Sequence, residues 1–175
     1  ATCTSLMSSE YTAEQLAHTW NSICAWGPVA MLPIFQLLGT NYLSRSITTC
    51  LLDGLDYFDI FTKIDFTYSN AIGSLMVGKG IKSEGELVIS GTKGYIYVLA
   101  PWWKTDYFEI RHENQTNNRR FFYQLDGEGI RHELVTFVKA IETGVLSTYI
   151  ERDATHAITN IIEDFYRGDY FQTIQ

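Results

Sequence analysis

A chain of 175 residues that is 46% hydrophobic and 14% aromatic can bury a substantial core, and one folded domain, residues 1–175, is the expectation. Its 20 acidic residues outweigh 13 basic ones for a net charge of −7, and no basic run interrupts them, which argues against a nucleic-acid partner. No stretch approaches 18 consecutive apolar residues and the first ten residues lack the pattern of a signal peptide, so no membrane span and a cytoplasmic location are expected.

In chain order, residues 1–9 are small and polar and read as a frayed end. Thr12, Ala13, Glu14 and Gln15 have the form of a capping box, and Leu16, Trp20 and Ile23 follow at helical spacing, which predicts a helix over 12–24. Ala25, Trp26, Gly27 and Pro28 read as a break before an apolar run over 29–38 that Gly39 closes. Pro33 inside that run implies a kink, or a helix that begins there. From Asn41 the period changes to alternation, with one strand over 43–52. In the next strand Ile60, Ile64, Phe66 and Tyr68 share a face opposite Lys63, Asp65 and Thr67, and a third strand covers 71–77.

The centre of the chain is 83–111. Leu87 and Ile89 alternate with Glu86, Val88 and Ser90; Gly91, Thr92, Lys93 and Gly94 form a tight turn; residues 95–99 are β-branched and aromatic. Beyond Pro101, the Trp102, Trp103, Lys104 cluster is either a core corner or a platform for a sugar or a base. Strands over 107–112 and 120–125 bring the total to about seven, connected by short turns and hence largely antiparallel. Two helices follow. One carries the stripe Ile130, Leu134, Phe137, Val138 and Ile141 and stops at Gly144. The other is capped by Asp153, turns Ala154, Ile158, Ile161, Ile162 and Phe165 inward, and ends at Gly168.

The predicted class is α+β: a large, mostly antiparallel sheet with helices packed on one face. Those helices cover one face only, yet Ile72 and Met76 oppose Leu75 and Val77, and Phe122 opposes Phe121 and Tyr123. A second face that is also apolar implies self-association, a dimer through the open face of the sheet.

Familiar catalytic motifs are missing. Residues 73–80 imitate a phosphate-binding loop but place Gly80 where a Ser or Thr must meet magnesium, and no Gly-x-Gly-x-x-Gly lies between a strand and a helix. Cys3, Cys24 and Cys50 are too few and too widely spaced for a disulfide framework or a zinc site, and the four histidines make no i, i+4 pair. Glu84 and Glu86 read as solvated strand-edge residues, and the Asn114, Gln115, Thr116 sequon carries little weight without a secretory route.

Four segments carry a family likeness in order: 25–39 (AWGPVAMLPIFQLLG), 85–98 (GELVISGTKGYIYV), 101–111 (PWWKTDYFEIR) and 127–144 (GEGIRHELVTFVKAIETG). Together they resemble the C-terminal domain of the Gfo/Idh/MocA oxidoreductases, the sugar and inositol dehydrogenase family. The resemblance implies a preceding Rossmann domain that binds NAD or NADP and supplies a catalytic lysine. It implies that this chain is the substrate-binding and oligomerisation part of a longer protein, with no cofactor of its own and no activity alone. Where relatives carry an Asp and, four residues later, a His, this chain has Ala25 and Val29, neither of which transfers a proton. Trp26, Lys79, Trp102, Trp103 and Lys104 are the expected pocket residues, since indole faces stack on sugar rings and a lysine holds a hydroxyl or phosphate. The alternative is a non-catalytic dimerisation or carbohydrate-binding module.

Overall fold

The computed structural model describes residues 1–5, 12, 15, 19–124, 127, 129–146, 149–168 and 171–174. In chain order the elements are β1 (Thr2–Thr4), α1 (Ser22–Leu38), β2 (Ser44–Leu51), β3 (Asp59–Thr67), β4 (Ile72–Gly78), β5 (Leu87–Gly91), β6 (Gly94–Val98), β7 (Tyr107–His112), β8 (Arg119–Phe122), α2 (Ile130–Thr143), α3 (Arg152–Tyr166) and β9 (Phe171–Ile174). The class is α+β. The strands form two sheets where the sequence pattern had suggested one, in two compact units: Ala1–Glu84 with Arg152–Gln175, and Gly85–Glu151.

In the first unit the sheet order is β1-β4-β3-β2-β9. The β2–β3 and β3–β4 pairs are antiparallel, while β1 runs parallel to β4 and β9 parallel to β2. Alternation along the central strands works as the pattern predicted. Ile47, Ile64 and Leu75 are in register across β2, β3 and β4, and with Phe66 and Val77 they are buried. From the helices come Ile23, Met31, Ile34 and Phe35 of α1 and Ile158, Ile161 and Phe165 of α3, all buried. α1 lies so close to the sheet that a Cβ on Gly73 would fall 2.5 Å from Ile34 Cγ2.

Three local expectations change. The capping box is made, with Thr12 N donating to Gln15 Oε1 at 2.9 Å and Gln15 N to Thr12 Oγ1 at 3.2 Å. Ala13, Glu14, Leu16, Ala17 and His18 of the helix predicted over 12–24 lie outside the described residues. That helix does not reach 24: Thr19 and Trp20 are non-helical, and Asn21 caps a new helix by accepting from Cys24 N at 3.2 Å. The predicted break at 25–28 is absent, because α1 runs straight through Pro28 and Pro33. Each proline forfeits one hydrogen bond, but the stripe Ile23, Gly27, Ala30, Met31, Ile34, Phe35 keeps the whole length on the sheet, and tertiary burial outweighs the local cost. Residues 2–4 are no frayed end; they form β1, with Cys3 fully buried against β4.

The second unit is an antiparallel meander, β5-β6-β7-β8. Its hairpin turn closes on the Gly91–Gly94 pair. Gly94 has φ 155°, and a Cβ there would sit 2.3 Å from the Arg111 carbonyl oxygen, so only glycine fits. By register, Leu87, Ile89, Ile96, Val98, Phe108, Ile110 and Phe121 share one face. On the other, Glu109 accepts from the Tyr107 hydroxyl and from Arg111 Nε at 2.5 Å, and Arg120 Nε lies 3.2 Å away. The Arg111 guanidinium stands 4.7 Å from the Tyr97 ring centroid, a cation–π contact. α2 ends as predicted, on Gly144 in the left-handed region, but its apolar stripe is not buried: Ile130, Leu134, Phe137, Val138 and Ile141 are 48–68% exposed.

Candidate functional site

A polar cluster surrounds the start of α1 in the first unit. Asn21 works with both ends of its amide, Oδ1 capping Cys24 and Nδ2 donating to the Tyr57 carbonyl at 2.8 Å. Ser22 Oγ donates to the Asp59 carbonyl at 2.8 Å and accepts from Lys79 N at 3.0 Å. Lys79 N also donates to the Ile60 carbonyl at 2.9 Å, and Lys79 Nζ donates to the Trp20 carbonyl. One lysine is thus tied by its main chain to the sheet and the helix start, and by its amine to the segment leading into α1.

Asp59 is the buried charge of the cluster, 0% exposed. Both its carboxylate oxygens lie 3.1 Å from Ile23 N, and Thr62 Oγ1 donates to it at 2.5 Å. Burial pushes its pKa up, and the hydrogen bonds from Thr62 and the Ile23 amide work against that. Cys24 Sγ and the Tyr166 hydroxyl, brought from the end of α3, are 3.3 Å apart. Burial raises both of their pKa values, so thiol and phenol keep their protons at neutral pH. Lys79 moves the other way. Desolvation lowers its pKa, partly offset by the nearby Asp59 carboxylate. The cluster therefore offers an amine, a thiol and a phenol of different proton affinity, a set able to hold a hydroxyl or a carbonyl oxygen.

Of the residues predicted from sequence, Trp26 and Lys79 belong to this unit. Trp26 is half-buried on α1, one turn beyond Ser22, and Lys79 is half-buried directly after β4. Ala25 is half-buried on the same helix and Val29 is 36% exposed. Trp102, Trp103 and Lys104 belong to the second unit, where they form one 3-10 turn with the indoles edge-to-face at 6.0 Å. Trp102 N anchors that turn on the Gly85 carbonyl at 3.1 Å. Sequence reasoning missed Asn21, Cys24, Asp59 and Tyr166. Two signals were available: Asn21 stands two residues before an apolar helical stripe that begins at Ile23, and Asp59 is an acid set among Tyr57, Phe58, Ile60 and Phe61. Nothing in the sequence joins Tyr166 to Cys24.

Among the described residues no three His, Cys, Asp or Glu side chains converge as metal ligands, and no helix is long and apolar enough to cross a membrane. No protein-family model matches the chain, and no curated protein does. Solved structures do share its fold. A 3-ketoreductase from Actinomadura kijaniata in complex with NADP and TDP-benzene matches with a TM-score of 0.77 at 10% identity, over 99% of this chain and 54% of that one. Its open conformation gives a TM-score of 0.70 at 10% identity, over 99% and 52%. The UDP-N-acetylglucosamine 3-dehydrogenase of Acidithiobacillus ferrooxidans gives 0.71 at 10% identity, over 97% and 52%. At such identities the likeness is one of fold, and the chain spans about half the length of the structures it matches.

Proposed function

We propose that this chain is the substrate-side and oligomerisation domain of an NAD(P)-dependent oxidoreductase of the Gfo/Idh/MocA type, acting on a sugar or sugar derivative. The observation that carries the reading is the match of 99% of the chain to about half of an NADP-bound 3-ketoreductase. The half of the relative outside the match is where this reading puts the Rossmann domain, whose nicotinamide exchanges a hydride with the sugar carbon. The described residues do not fit the cofactor themselves. They hold no glycine-rich turn between strand and helix, and the first turn of α1 already faces the Asp59 carboxylate where a pyrophosphate would need to bind.

In this reading Trp26 and Lys79 of the first unit are assigned to the sugar, while Trp102, Trp103 and Lys104 of the second unit form an aromatic turn that offers a stacking surface of its own. The assembly in this reading is a cytoplasmic homodimer through an open sheet face. Ile72, 72% exposed in the first unit's sheet, and Phe122, 74% exposed in the second unit's sheet, each support a covered surface on its own sheet. Ala25 and Val29 favour a second reading, a non-catalytic binding module, since neither carries a proton-transfer group. Tryptophan fluorescence during titration with UDP-N-acetylglucosamine tests the substrate assignment. A saturable change is expected, and a signal flat into the millimolar range contradicts it. The two readings part on the polypeptide that carries this chain, where a strand–Gly-x-Gly-x-x-Gly–helix unit supports the enzyme and its absence the module.

A further inference from the structure

We propose that the second unit binds a small amphipathic anion, a carboxylate or phosphate ester whose charged head meets Arg119 and whose aliphatic body lies along Ile110, Ile96 and Ile89. This site stands whether or not the first unit takes a sugar.

Strand register builds it. Ile89 pairs with Ile96, Ile96 with Ile110 and Ile110 with Arg119, so three isoleucines and an arginine form one row across the four strands, on one face of the sheet. The next row on that face is Gly91, Gly94 and His112, and the two glycines put no side chain beside Ile89 and Ile96. A cavity of about 640 Å³ opens at the charged end, lined by Ile110, His112, Thr116, Asn117, Asn118 and Arg119. A second, of about 350 Å³, shares Ile110 and His112 and continues over Ile96 and Ile89. Both volumes suit a small molecule held on an apolar floor by a few polar groups.

The wall of the cavity is braced by its own hydrogen bonds. Asn114 Oδ1 accepts from Thr116 N at 3.1 Å and from Thr116 Oγ1 at 2.8 Å, and Asn117 N donates to the Asn114 carbonyl at 3.0 Å. Asn118 Oδ1 accepts from His112 N at 2.8 Å, which leaves Asn118 Nδ2 as a donor for a ligand. His112 Nδ1 lies 3.1 Å from the Lys93 carbonyl, so Nε2 is the ring nitrogen left for a ligand. Arg119 forms no ion pair among the described residues. A guanidinium beside an amide donor, at the end of an apolar row, matches a carboxylate or phosphate carried on an apolar body. Nothing else in the unit takes that place. α2 leaves its apolar stripe exposed, and Phe122, which supports self-association, belongs to the opposite face.

The experiment is a ¹⁵N-resolved NMR titration of the whole chain with octanoate, octyl phosphate, octanol and inorganic phosphate. Saturable shifts at Ile96, Ile110, His112 and Arg119 are expected from octanoate or octyl phosphate, and the tighter of the two identifies the head group. Octanol and inorganic phosphate, each lacking one half of the match, should bind at least about ten-fold more weakly. Arg119→Gln should weaken the anion roughly ten- to a hundred-fold and Arg119→Lys less, while the rest of each spectrum reports the fold. Silence of these residues into the millimolar range overturns the proposal. So does octanol binding as tightly as the anions, or an Arg119→Gln variant that binds undiminished. Shifts at these residues that follow protein concentration alone make a second copy the occupant and overturn it too.

Discussion

Asp59 and Ile23 share a three-centre hydrogen bond, both carboxylate oxygens lying 3.1 Å from one amide at the first turn of α1. A buried acid on β3 thereby fixes the helix that carries Trp26, Ala25 and Val29. Replacing it by Ala strands the Ile23 N–H in a buried site and removes one of two partners of the Thr62 hydroxyl, the other being Thr49 Oγ1 at 2.9 Å. Asp59→Ala should cost about 2–4 kcal/mol, from a lost cap and an unsatisfied donor, read as a lower urea midpoint. A change below about 0.5 kcal/mol would show that the contact does not hold the helix.

The same carboxylate gives a pH signature of defined sign. Its folded pKa is raised above 3.8, so its contribution is fully present below that value and is lost as pH rises through the raised one. The stability of the natural chain relative to Asp59→Asn should therefore fall as pH climbs from about 4 toward neutrality. Denaturant melts at a series of pH values measure this, and a difference that grows with pH contradicts it.

Gly94 closes the β5–β6 hairpin at φ 155°, where a Cβ would strike the Arg111 carbonyl oxygen. Gly94→Ala should lower stability by about 1–3 kcal/mol. The mirror experiment, Gly127→Ala, meets nothing within 4 Å but still holds φ 89°, so its cost should be smaller. Equal thermal shifts for the two would contradict the close approach.

Two phenylalanines on helices consecutive in sequence should behave differently. Phe165 of α3 is 0% exposed and stacks on Phe171 at 5.0 Å; truncation to Ala should cost about 3–5 kcal/mol. Phe137 of α2 is 64% exposed, and its truncation should stay within about 0.5 kcal/mol in the isolated chain. Calorimetric melts of both variants decide it.

Self-association is open to direct measurement. Light scattering should return about twice the 20.0 kDa chain mass, and Phe122→Glu, at a side chain 74% exposed, should return the monomer. A monomer at tens of micromolar for the unaltered chain contradicts the dimer.

Where the sequence carried strong periodicity it was legible. The strands over β2 to β8, the glycine-flanked hairpin, the two C-terminal helices and their Gly144 and Gly168 stops all follow from local pattern. What stayed hidden depends on tertiary contact. The three residues of β1 carry no pattern and exist as a strand only because β4 offers an edge. Pro28 and Pro33 argue locally for a break that burial on the sheet overrides. The division of the strands into two sheets follows from 81–86, which pair in no ladder and interrupt the run of strands. At the candidate site, Lys79 was legible as a cation after a strand. Its partners were not, because Ser22, Asp59 and Tyr166 reach it or Cys24 from three separate elements.

The account stands or falls on this chain being the sugar side, and not the cofactor side, of an oxidoreductase. Calorimetric titration of the same preparation with UDP-N-acetylglucosamine and with NADP tests it most directly. The account predicts heat from the sugar nucleotide and none from NADP at a dissociation constant tighter than roughly 100 μM, about −5.5 kcal/mol. NADP binding tighter than that, with no response to the sugar nucleotide, would contradict it.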